Sequence, residues 1–139
     1  IRNGKGLEKF REMIAQQGGD VNIIDDYSLL PLSPVKVEVK AERSGYITKM
    51  DTAMIGRASQ ETGAGRMFKG QPLDFGAGII MKKRTGGAIA TGETLAIVYS
   101  ESKEKCDSAA VFLKKAITIA EQKAAEQPPL IWKIIRQED

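Results

Sequence analysis

Between Val35 and Glu42 apolar and charged positions alternate strictly, Val35, Val37, Val39 and Ala41 against Lys36, Glu38, Lys40 and Glu42. A period of two puts each set on its own face of a strand, so one side is expected to be buried and the other wet. Upstream the period lengthens: Leu7, Phe10 and Ile14 recur at helical spacing between about Lys5 and Gln17, and Gly18-Gly19 offers a left-handed stop. Asp20 to Pro34, with two prolines and an Asp-Asp pair, reads as an irregular linker.

Downstream, Gly45 makes a turn and Tyr46 and Ile47 resume the extended pattern. Asp51 is placed to cap a helix that runs to Thr62, turns Ala53, Met54, Ile55 and Ala58 inward, and stops at Gly63. Gly56 inside that helix costs about 1 kcal/mol relative to alanine, which fits either close backbone packing or a weak helix held by its surroundings. Leu73 to Met81 reads as a strand with Phe75, Ala77, Ile79 and Met81 on one face, and its glycines mark a bend or bulge. Thr85-Gly86-Gly87 signals a turn, and Gly92 to Val98 a further strand. The longest helix is expected from Lys103 to Glu126, striped by Cys106, Ala109, Ala110, Leu113, Ala116, Ile117, Ala120 and Ala124. Pro128-Pro129 ends it, Leu130 to Ile135 reads as a closing strand, and Arg136 to Asp139 as a tail.

Periodicity therefore gives an antiparallel, β-rich α+β module with packing helices and an N-terminal flanking helix. At 139 residues and 42% apolar composition the chain can bury a real core. The net charge of +3 is mild, the cations are interleaved with acids, and aromatics are sparse, so nucleic acid is not an expected partner. Cys106 is the one cysteine and there is no histidine, which removes internal disulfides, Cys/His zinc sites and imidazole catalysis. No apolar run approaches the ~20 residues of a membrane span, and no signal peptide is legible, so a reducing cytoplasm and no membrane partner are expected. A start without methionine, inside a helical pattern, reads as a piece of a longer protein.

Candidate chemistry is concentrated in Gly63-Ala64-Gly65-Arg66. Glycine-rich loops cradle phosphate when their amides open onto a helix amino end, but this loop follows a carboxyl end. It is either a structural loop at a domain interface or a substrate contact, with Arg66 as its one full positive charge. Cys106 reads as a buried small residue rather than a nucleophile, since no histidine can activate it. Met81-Lys82 invites comparison with biotinyl and lipoyl carriers, whose modified lysine sits at a hairpin tip; here the turn is Thr85-Gly86-Gly87 and holds no lysine.

In combination, Gly45-Tyr46-Ile47, Met50-Asp51, Ile55-Gly56-Arg57-Ala58 and Gly63-Ala64-Gly65-Arg66 resemble the C-terminal domain of the pyrimidine nucleoside and thymidine phosphorylases. Upstream, Asn3-Gly4-Lys5, Leu7-Glu8-Lys9-Phe10 and Gly18-Gly19-Asp20 resemble the helix leading out of that family's α/β domain. Downstream, Asp74, Gly76-Ala77-Gly78-Ile79, Gly86-Gly87 and Gly92-Glu93-Thr94-Leu95-Ala96 follow in family order. The resemblance implies a barrel-sandwich-like domain at 35–139, preceded at 1–34 by helix and linker from the α/β domain, with Gly92 to Val98 as the last barrel strand. It also implies reversible phosphorolysis by the intact enzyme, pyrimidine nucleoside plus phosphate giving free base and pentose 1-phosphate.

In that family the phosphate- and base-binding groups precede this segment, so no catalytic residue is carried over and the isolated chain is expected to be inactive. Gly63, Gly65 and Arg66 are the candidates for the cleft-facing edge. The expected partners are the N-terminal α and α/β domains of the same enzyme, the nucleoside and phosphate, with a homodimer for the intact protein. No cofactor is expected in this segment beyond phosphate as co-substrate. The competing reading is a stand-alone barrel-sandwich binding or carrier module; a third is the archaeal type of nucleotide phosphorylase, which shares the domain.

Overall fold

The computed structural model describes residues 2–124 and 131–135. The chain divides into two compact units, Ile1–Leu32 and Ser33–Asp139. In the first, α1 (Lys5–Gln16) is followed by 3-10 turns at Val21–Ile24 and Tyr27–Leu29. Each turn begins at an aspartate whose side chain accepts a backbone N–H two residues on, Asp20 from Asn22 and Asp26 from Ser28. The expected stop after α1 is present: Gly18 has φ 75°, its N–H reaches Ala15 O, and the Gly19 N–H reaches Ile14 O. On α1 only Ile14 is buried, while Leu7, Phe10 and Met13 are exposed.

The second unit is built on two three-stranded antiparallel sheets, and they do not close into a barrel. One has the order β1 (Val35–Lys40), β5 (Thr94–Ser100), β3 (Gly78–Met81); the other has β4 (Ala88–Ile89), β2 (Gly45–Met50), β6 (Ile117–Ala120). The alternation read at Val35–Lys40 is realised in β1, whose odd positions turn inward and whose lysines and glutamate are exposed. A register shift after Val39 re-aims the strand end, so Val39 enters one core cluster and Ala41 the other. The first cluster joins Val39, Ala96 and Val98 to Ala58 of α2 (Thr52–Ser59) and to Cys106, Ala109 and Leu113 of α3 (Lys103–Ala116). The second gathers Ile47, Ile89, Leu95, Ala116, Ile117 and Ile119 around the other sheet. The segments Gly45-Tyr46-Ile47 and Gly87-Ala88-Ile89 are neighbours across that sheet, Gly45 opposite Ile89 and Tyr46 opposite Ala88.

Four expectations are corrected. The helix read to Glu126 ends at Ala116, and Ile117–Ala120 is a strand on β2. Ile117, Thr118 and Ile119 are β-branched and alternate buried, exposed, buried, a period of two hidden inside an alanine-rich stripe. The strand read from Leu73 shortens to Gly78–Met81, with Phe75 84% exposed, because Asp74 draws the preceding backbone into a turn: its carboxylate accepts the Gly76 N–H and its carbonyl the Ala77 N–H. In α2, Ala53 is exposed, and a Cβ placed on Gly56 would meet open space, so close packing does not account for that glycine. Ile131–Ile135 has no regular structure and carries Trp132 and Ile135 exposed; the remainder of the closing strand, the helix end and the tail, residues 125–130 and 136–139, lie outside the described residues.

Candidate functional site

Asp51 starts α2 as expected, its carboxylate accepting the Met54 N–H at 3.0 Å. After Ser59 the helix widens into a π-type turn over Gln60–Ala64, and Gly63 leaves helical geometry at φ 98°, ψ −2°. The widening is fastened from inside. Thr62, fully buried, donates to Ser59 O at 2.7 Å and accepts the Ala64 N–H, while its own carbonyl accepts the buried Ser100 hydroxyl at 2.7 Å.

The buried Gly63 carbonyl takes the Asp74 N–H at 3.0 Å, and the Asp74 carboxylate is held by the Ser33 hydroxyl at 2.6 Å. A Cβ on Gly63 would stand 3.4 Å from Asp74 Cβ. Gly65 is extended, and a Cβ there would lie 2.8 Å from Gln60 Cγ and 3.4 Å from Gln60 Cα. Both glycines are therefore demanded by the local geometry, Gly63 by its left-handed backbone and Gly65 by contact.

Arg66 is exposed, and its Nε donates to Gln71 O at 3.0 Å; among the described residues its terminal nitrogens have no protein partner. The Gln71 amide oxygen accepts the Met67 N–H at 2.7 Å, closing a small loop that presents Met67 and Phe68 to solvent. The structure thus places the three predicted residues on one short, tied segment, with Gly63 buried, Gly65 half-buried and Arg66 exposed. The residues that hold it, Ser33, Thr62, Asp74 and Ser100, carried no role in the sequence reading. The Asp74-Phe75-Gly76 turn signature was the signal for one of them.

Cys106 is fully buried with Sγ 3.9 Å from Val35 O, and burial pushes its thiol above the usual range, with Asp107 adding to the effect. Lys82 follows β3 with its backbone N–H on Leu95 O, and the adjoining turn is closed by the Gly87 N–H on Arg84 O. Lys83 pairs with Glu93, whose carboxyl is held below its ordinary range by the Lys83 hydrogen bond first and the Ala90 N–H second. Glu42 is likewise lowered by its hydrogen bond to Lys114 at 2.7 Å. Among the described residues no three metal-ligating side chains come together, and no helix is long and apolar enough to cross a membrane.

This order of elements, with a fastened Gly-Ala-Gly-Arg exit between α2 and β3, is matched in sequence by the profile described as the pyrimidine nucleoside phosphorylase C-terminal domain, over residues 46–120. The chain belongs to that family. A pyrimidine-nucleoside phosphorylase of Staphylococcus epidermidis is 39% identical over 137 residues, and those of Staphylococcus haemolyticus and Staphylococcus aureus are 38% identical. Each alignment covers 99% of this chain and 31% of the relative, so the chain spans about a third of the length of the curated relatives it matches. The family membership favours the phosphorylase reading over a carrier module, as does the absence of a lysine from the Arg84–Gly87 turn.

Proposed function

We propose that this chain is the C-terminal portion of a pyrimidine-nucleoside phosphorylase, which converts a pyrimidine nucleoside and phosphate into free base and pentose 1-phosphate. The observation that carries the reading is identity of 39% running through 137 residues, both units included, to a protein of that name. Domain by domain, residues 1–34 are the exit of the preceding α/β part and 35–139 the C-terminal domain. The chemistry requires phosphate held by hydroxyls, amides and a cation, and a base hydrogen-bonded as it leaves with negative charge. Among the described residues no such constellation is assembled, and in this reading the chain is inactive alone.

Its contribution is one wall of the cleft, with Arg66 and the segment shaped by Gly63 and Gly65 at the edge. The fastening through Thr62, Asp74 and Ser100 supports this, because a wall that meets substrate during closure must be stiff. The N-terminal α and α/β domains are its partners, phosphate its co-substrate, the homodimer its assembly and the cytoplasm its place. The test is uridine phosphorolysis by the separately expressed N-terminal portion, with and without this chain. Activity on mixing alone is expected; activity of this chain by itself, or none from a folded mixture, overturns the proposal.

A further inference from the structure

A second feature lies away from the Gly63–Arg66 segment, against the second core cluster. A concavity of about 340 Å³ opens there between the β1–β2 connection and the end of α3. Its inner wall is Leu95, Ile117 and Ile119, all less than a tenth exposed, and its rim carries Lys40, Arg43 and Lys114. One carboxylate, Glu42, shares the rim and hydrogen-bonds Lys114. Lys40 and Arg43 have no carboxylate partner among the described residues. Three cations against one acid leave the rim two positive charges in excess.

The placement follows from the fold. The register shift after Val39 turns the end of β1 so that Ala41 faces inward while Lys40, Glu42 and Arg43 stay at the surface. The change from helix to strand at Ala116 puts Lys114 beside the isoleucines of β6.

We propose that this groove binds an organic phosphate monoester. The dianion matches the excess charge, Arg43 offers the planar fork suited to phosphate, and the volume exceeds the need of bare phosphate, leaving room for an organic group against Leu95, Ile117 and Ile119. The exposed apolar area is small, so charge carries most of the affinity and salt weakens it.

The probe is phenyl phosphate, titrated into the 139-residue chain and followed by methyl resonances of Leu95, Ile117 and Ile119 in about 20 mM and about 150 mM salt, where screening lengths differ by roughly threefold. Saturable shifts at these methyls are expected, weakened about fivefold or more by the higher salt. Lys40→Gln with Arg43→Gln should reduce affinity about tenfold, while Lys103→Gln, at the far end of α3, leaves it unchanged. Glu42→Gln, which removes the opposing charge, should tighten binding and serves as an independent check should the double variant misfold. Inorganic phosphate should bind more weakly, and benzoate, a monoanion, more weakly still. Absent or unsaturable shifts, insensitivity to Arg43 and Lys40, or benzoate binding as well as phenyl phosphate would overturn the proposal.

Discussion

At the scale of single residues, glycine has opposite meanings two turns of chain apart. Gly63 is buried at φ 98° against Asp74, so Gly63→Ala should destabilise by about 1–3 kcal/mol, read as a shift in the urea midpoint. Gly56 is a solvent-facing helical glycine with open space where a Cβ would go, and Gly56→Ala should stabilise by roughly 0.5–1 kcal/mol. The sequence already separated Gly63, a helix stop, from Gly56 inside the helix, but left open whether Gly56 packs closely, because that depends on what stands beside it. Cys106 is the opposite case: a helical stripe and the lack of histidine already predicted burial. Its thiol should react with an aromatic disulfide reagent in urea and resist it in the native protein, and rapid native labelling would contradict the packing. Arg66→Ala, at an exposed position, should change stability by no more than about 0.5 kcal/mol. The same substitution in the full-length enzyme should lower phosphorolysis, and unchanged kinetics would remove Arg66 from the cleft edge.

Among the elements, the junction of α3 and β6 decides how the second sheet is completed. Ile119 is buried in β6 opposite Ile47, so Ile119→Ala should cost about 2–4 kcal/mol, whereas Thr118→Ala on the exposed face should cost well under 1 kcal/mol. The same junction places Lys114 for Glu42, and a comparable pair links Lys83 to Glu93. Both carboxyls titrate lower in the folded chain than unfolded, so their stabilisation is present at neutral pH and is lost as the pH falls through the folded values. Replacing both, Glu42→Gln and Glu93→Gln, should flatten the fall of the melting temperature between about pH 5 and pH 3, and salt should mimic part of that effect. Helix starts were legible because a capping aspartate is a local device, as Asp51 shows. The end of α3 was not, since four residues suited to either state became a strand only because β2 offered them a partner.

Over the whole molecule, the division after Leu32 predicts that residues 33–139 alone retain a cooperative melt, their two core clusters lying wholly inside that unit. Amides of α1, where only Ile14 is buried, should exchange with solvent much faster than those of β5 and α3. Loss of cooperativity on removing 1–32, or equal protection of α1, would show that the units are not separate in stability. Family, class and the position of the Gly-Ala-Gly-Arg segment were legible without coordinates, because motif order and hydrophobic period are properties of the chain. Alternation dictated β1, helical spacing dictated α1, and Asp51 dictated where α2 begins. The rest depended on distant partners: Asp74 meeting Gly63 and Ser33, Ser100 reaching Thr62, and the turning of β1 that brings Lys40 and Arg43 beside Lys114. Such contacts join residues eleven or more positions apart through packing and shared hydrogen bonds, and no local pattern specifies which ends will meet.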